Sequence, residues 1–550
     1  MKKSGVDRIR KALREEINRS IDKLKSPGHP RPYYISYLLR DIRRIDVWAK
    51  YGSIGYDRTD HKRVCFANVR VGSYRYDQTA YGGLTDNSDE VESYDLVDMP
   101  LEDDTDAMRF ALWRLTDARY REAVKAYHSR KARDVSFLDE NKELPSFIKQ
   151  SAVRSPFRLI NPRIDTGHFR DYVRKASRVF KKFGEIKNSY VEFSSELQTK
   201  VFVSSEGIER VWQEPVYQIT AYMWYLTKKC NEEHSLVYTV AHPDELPDLE
   251  NLKKAILQRV KLLTEIEHGE KLISYTGPVL MAPRPAGLFV HEVAGHRLEA
   301  SRLLSHDEGR TFKDKVGHRI MHKDISIYDD PSRRSFNGQS LIGHYRFDDE
   351  GSVPSRAVLV ERGVLKGFLT TRSPVRKKDH KNNGHARNQT FEHPISRMGN
   401  LLIESHSSLS WKELKANLLE EIRRRKLPYG VILYEVEGGE TGTESYNFQA
   451  FMGQITVAVK VYPGGREKYI RGVDFVGTPL SSLSHIIAVG QDRELDNGFC
   501  GAESGTIPVS TLSPAILVSS LELQAKDTTR VTQYSLPLPW FEEKKRKPAR

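Results

Sequence analysis

Cysteine is scarce. The 550 residues hold three, Cys65, Cys230 and Cys500, far apart and in no paired spacing. That excludes a disulfide scaffold, and Cys65 and Cys230 read as small buried hydrophobes. Long apolar runs are also missing. No stretch of about 20 apolar residues marks a membrane helix, and the charged first 20 residues carry no signal-peptide core. The chain is therefore expected in the cytoplasm, without a membrane partner. A phosphate loop is absent too. The cluster Gly438-Gly439-Glu440-Thr441-Gly442 reads as a turn, because no helix-opening lysine pattern follows it. The net charge of +13 is concentrated at the ends and in residues 372–381, yet no nucleic-acid-binding motif accompanies it. Such runs read as solvated surface, and nucleic acid is not an expected partner.

What is present suits a globular protein. Hydrophobic residues make up 38% and charged ones 29%, enough to build sizeable cores. The length points to two domains. Aromatic and β-branched stretches at 33–40, 46–52 and 63–72 predict one antiparallel sheet, and further strands are predicted at 189–196, 199–207 and 215–227. Helices are predicted at 7–25, exposed, at 104–131 with Phe110, Leu112 and Leu115 on one side, and at 251–267. Beyond residue 271 glycines are frequent and short strands are expected, with one clear helix at 411–425. The fold class is therefore α+β: an N-terminal antiparallel sheet with helices over 1–271, a mostly β domain carrying a metal-binding helix over 272–527, and a polar, basic tail over 528–550.

The chemistry gathers at 287–299, Gly-Leu-Phe-Val-His-Glu-Val-Ala-Gly-His-Arg-Leu-Glu. Neutral imidazoles ligate zinc, and a neighbouring carboxylate can serve as general base. His291 and His296 are five residues apart, not the four of the common metallopeptidase signature. On a regular α-helix, five steps would put the second ring about 140° from the first. A single π-turn would bring the two together, and Gly295 is a plausible site for the distortion. Glu299, His306, Asp307 and His344 are open candidates for a third ligand.

The run resembles the His-Glu-x-x-x-His signature of the TldD/PmbA family of zinc peptidases. Four further segments resemble that family in order. They are Asp348-Asp349-Glu350-Gly351, the hairpin at 358–367, Pro394-Ile395-Ser396-Arg397-Met398-Gly399-Asn400, and Cys500-Gly501 with Pro508-Val509. The chain departs from the family pattern at Ser504-Gly505 and at 382–387. The resemblance implies zinc held by His291, His296 and Cys500, with Glu292 as catalytic base. It implies peptide or unfolded-protein substrates, and a homodimer or a heterodimer with a related chain lacking the motif. It also carries an alternative, a non-catalytic subunit of a gyrase-modulating, DNA-associated complex. Cys500 is expected in a tight loop between Gly498 and Gly501. The acidic triplet 348–350 reads as a charged turn and not as a second metal site. No role for Arg397 or Asn400, and no substrate-binding residue, follows from the sequence.

Overall fold

Four strands of 19 residues, Ser53–Val71, Pro32–Lys50, Ile186–Ser204 and Ile208–Leu226, lie side by side in that order as an antiparallel sheet. At about 3.3 Å per residue each runs about 60 Å. The shorter strand Asn231–Val240 pairs with Ile208–Leu226 and forms an edge. The computed structural model describes residues 3–79, 98–136, 144–304, 311–375, 381–443, 450–526, 534 and 536–542.

Side chains alternate across a strand, so one face of the long sheet can be apolar along its whole length. Ile35, Tyr37, Leu39, Val201 and Val203 pack under helices Lys3–Lys23 and Thr105–Ser136. Val47, Val191, Phe193, Ile219 and Ala221 lie under helices Thr166–Ser177 and Leu249–Glu267. The first helix is not exposed as expected. It buries Val6, Ile9, Leu13 and Ile17, a stripe at helical spacing hidden among charges. In the second helix Leu112 and Leu115 are buried but Phe110 is 60% exposed, since it sits two positions off that stripe.

The C-terminal half is built on a twelve-stranded sheet. Its centre is the 21-residue strand Gly505–Ala525, which forms a hairpin with Ile486–Ala502 and also pairs with Ser274–Met281. The expectation of short strands fails here. Pro508 and Pro514 punctuate the sequence, but both stay within the hairpin, and Pro514 sits beside a register shift. The glycine cluster at 438–442 is likewise no turn. It largely belongs to strand Gly430–Thr441, which shifts register repeatedly between Leu433 and Gly439, and glycine is tolerated at such bulges. Among the described residues no helix is long and apolar enough to cross a membrane.

The opposite face of the N-terminal sheet meets the C-terminal half. Leu38, Phe202, Ile208 and Trp212 pack with Phe347. The triplet 348–350 follows, turned but buried. Lys200 Nζ lies 2.9 Å from Asp349 Oδ1 and Arg40 Nη2 3.3 Å from it. Asp348 accepts from the backbone N–H groups of Glu350, Ser352 and Ala386. Gly351 closes the turn at φ +78°, and a Cβ there would come within 2.6 Å of Phe202 Cε1.

Candidate metal centre

Strand Ser274–Met281 feeds directly into helix Pro283–Val290, with proline at its first position, where a missing N–H costs nothing. The helix then widens. His291–Gly295 is a π-turn, and the His296 N–H donates to the His291 carbonyl five residues back. A 3₁₀ turn, His296–Leu298, follows. The extra residue brings the two imidazoles onto one side, with ring centroids 5.0 Å apart. Gly295 works differently from the expectation. Its φ of −51° and ψ of −60° are ordinary helical values. What it provides is room, because a Cβ there would collide with Met398 Sδ.

Cys500 arrives from the hairpin. It lies within strand Ile486–Ala502, opposite Ile507 and three residues before the turn at 503–504. The expected tight loop is thus a paired strand, and neither flanking glycine is forced by crowding: nothing lies within 4 Å of a Cβ at Gly498. Cys500 Sγ sits 3.3 Å from His296 Nε2. One ligand atom each from His291, His296 and Cys500 lies within 4.8 Å of the others, and all three residues are buried.

Glu299 is not a fourth member of this triangle. Its Oε2 lies 3.3 Å from His296 Nδ1, which leaves Nε2 turned toward the sulfur. Histidine ligands are commonly oriented in this way by a carboxylate on the other nitrogen. The Glu299 carboxylate is also held by Arg302 at 3.1 Å and Arg397 at 3.4 Å. His344 lies elsewhere, its Nδ1 2.6 Å from the Pro331 carbonyl oxygen. His306 and Asp307 lie outside the described residues. Asn400 donates to the carbonyls of Asp330 and Arg333, tying down a loop. Arg397 reaches both Glu299 and Cys500, contacts that sequence spacing could not reveal; only the matched Arg-Met segment pointed there.

Burial alone would raise the Cys500 thiol and lower both imidazoles. The mutual field is stronger. The two histidines hold the thiol well below its ordinary value, while the sulfur and Glu299 lift His296 to about 10. Burial likewise raises Glu299, but His296, Arg302 and Arg397 pull it down to about 2. By contrast burial pushes the Cys230 thiol up to about 12. A sulfur drawn toward the thiolate and two imidazoles drawn toward the cation are the donor set of a soft-to-borderline metal. Two nitrogens and one sulfur, with a carboxylate behind one ring, fit zinc.

The triangle lies in the wall of a cleft of about 730 Å³. Residues 235–239 of the N-terminal edge strand, 435–441 and 496–503 line it, with Glu292 beside His291. The Glu292 side chain is confined by Gly439, where a Cβ would approach its Cγ to 3.0 Å. Its carboxylate receives no hydrogen bond from the described residues.

Comparison with known proteins finds metalloproteases similar to the C-terminal half. Residues 274–525 match the model of the PmbA/TldA metallopeptidase C-terminal domain. A metalloprotease of Archaeoglobus fulgidus is 36% identical over 242 residues, 44% of this chain and 51% of that protein. A zinc metalloprotease TldD homologue of Saccharolobus solfataricus is 27% identical over 277 residues, 50% of this chain and 56% of that protein. The chain thus spans about half the length of these relatives. A Thermotoga maritima structure, described as a candidate modulator of a DNA gyrase, shares the fold with a TM-score of 0.60 at 16% identity, over 93% of this chain and 99% of that one. On these matches, residues 274–525 are similar to the PmbA/TldA metallopeptidase C-terminal domain, and the two histidines and Cys500 of the triangle lie within that stretch.

Proposed function

We propose that the protein is a zinc-dependent peptidase acting on unfolded or extended peptides. The observation that carries this is the His291, His296 and Cys500 triangle in the cleft wall, with the Glu292 carboxylate beside it. Three protein ligands with one position left open are the catalytic form of a zinc site. Zinc, when bound, supplies Lewis acidity toward water and a peptide carbonyl. The protein residues do the rest. Glu292 takes a proton from the attacking water on its carboxylate and returns it to the leaving nitrogen. Glu299 keeps the His296 proton on Nδ1 and so keeps Nε2 available. Backbone from the strands at 235–239, 435–441 and 496–503 borders the cleft, which suits an extended chain better than a folded one.

The test is direct. Purified protein should contain one zinc per chain, and Cys500→Ser should lose most of it. Hydrolysis should be seen with a denatured protein and not with the same protein in its native form. Zinc-free protein that cleaves peptides at the full rate would overturn the reading. The second reading, a DNA-associated regulator, has in its favour the net charge of +13 and the description of the Thermotoga relative. It requires DNA binding that weakens steeply as salt rises, about one unit of log–log slope per phosphate contact.

A further inference from the structure

The two halves of the metal triangle come from places 204 residues apart, a π-turn and a hairpin. Something has to hold one against the other. The segment 396–398 lies between them and touches both. Ser396 and Ser301 exchange hydrogen bonds in both directions: the Ser301 N–H donates to Ser396 Oγ at 2.8 Å, and the Ser396 N–H donates to Ser301 Oγ at 2.9 Å. Met398 fills the space left by Gly295 in the π-turn. Arg397, fully buried, faces the hairpin. Its Nη2 donates to the Cys500 carbonyl at 2.8 Å and to Cys500 Sγ at 3.3 Å. Its Nη1 donates to Ser504 Oγ and to the Gly505 carbonyl, both at 2.9 Å. Its Nε faces Glu299 Oε1 at 3.4 Å, and neither of those two atoms has a hydrogen-bond partner among the described residues.

We propose that Arg397 is the positioning residue of the metal centre: it registers the Cys500 sulfur against the His296 imidazole by gripping the hairpin with one end of its guanidinium and Glu299 with the other. This rests on the zinc reading above. The planar fork is what the task needs. Five donors in a fixed plane reach a sulfur, two carbonyls, a hydroxyl and a carboxylate at once, and a lysine ammonium cannot span them. A hydrogen bond to a ligating thiolate also withdraws charge from it, so Arg397 tunes the sulfur as well as placing it. Arg302 braces the same hairpin at its turn. It pairs with Glu503 through two bonds of 2.8 and 3.0 Å and reaches Glu299.

The test uses the full chain. Zinc affinity is measured by chelator competition for wild type, Arg397→Met, Arg397→Lys and Glu503→Gln. Each is also loaded with cobalt, and the thiolate-to-cobalt absorption band is recorded. Arg397→Met should weaken zinc binding by about 10–100-fold, the usual consequence of losing an outer partner of a metal ligand. Its cobalt band should shift. Arg397→Lys, which keeps the charge and loses the fork, should recover only part of the affinity and is the working variant if methionine prevents folding. Glu503→Gln should leave the band in place. Wild-type affinity and an unchanged cobalt spectrum in both arginine variants would overturn the proposal while leaving the zinc reading intact. A wild-type protein that takes up neither metal would overturn both.

Discussion

At the scale of single residues, the proposed site separates holding a metal from doing chemistry. Glu292 is adjacent in sequence to His291 yet outside the triangle, against Gly439. Glu292→Gln should therefore keep its zinc and lose hydrolysis by about 10²–10⁴-fold, the range of general-base catalysis. Metal content and turnover measured on the same preparation decide it, and full activity in the metal-loaded variant would sink the assignment. Gly439→Ala probes the same carboxylate from behind. The added methyl would meet Glu292 Cγ at 3.0 Å and Oε1 at 3.1 Å. Displacing the base by less than 1 Å should lower kcat by up to about 10²-fold with metal retained. An unchanged kcat would mean that the carboxylate is free to move and is not placed by the strand behind it.

At the scale of elements, the acidic triplet 348–350 joins the long sheet to the C-terminal half. Burial raises the Asp349 carboxyl, but Lys200 and then Arg40 outweigh it and hold it below its ordinary value. Asp349→Leu would remove the carboxylate that Arg40 shares with Lys200 and leave Lys200 with Glu214 alone, which should cost about 3 kcal/mol. A depressed carboxylate stabilises above its unfolded pKa of about 3.9, and the contribution fades as pH falls below that. The Asp349→Leu deficit, read from denaturant midpoints, should thus shrink on acidification; a deficit independent of pH would refute the ion-pair account. Elements of this kind were unevenly legible in the sequence. Helix Trp411–Arg424 could be read from Leu414, Leu418 and Ile422, and the π-turn from a spacing of five between two histidines, because both signals are local. The hairpin around Cys500 could not, since Gly498 and Gly501 beside it read as a tight loop until the partner strand is known. The buried setting of Asp349 was hidden for the same reason: Lys200 is 149 residues away and nothing in the triplet names it. Glu299 was a ligand candidate that the sequence could not demote, because only the folded chain shows its Oε2 turned to the His296 ring and Arg302 and its Oε1 facing Arg397.

At the scale of the whole molecule, the cleft draws its lining from both halves, and part of it is the edge strand Asn231–Val240. An edge strand presents unpaired backbone groups. We expect the protein to be a dimer, with itself or with a related chain lacking the histidine pair, so that the mouth of the cleft is covered. Light scattering of the purified protein tests this, and a monomer that cleaves peptides would refute it. The separation of the ligands along the chain has a consequence in time. During synthesis His291 and His296 leave the ribosome long before Cys500. At about 5–20 residues per second, the 204 residues between His296 and Cys500 take about 10–40 seconds to be made. For that interval the growing chain holds two histidines and no thiolate to complete the centre. If the proposed function holds, a peptidase for unfolded polypeptides is thereby disarmed for as long as it is one itself.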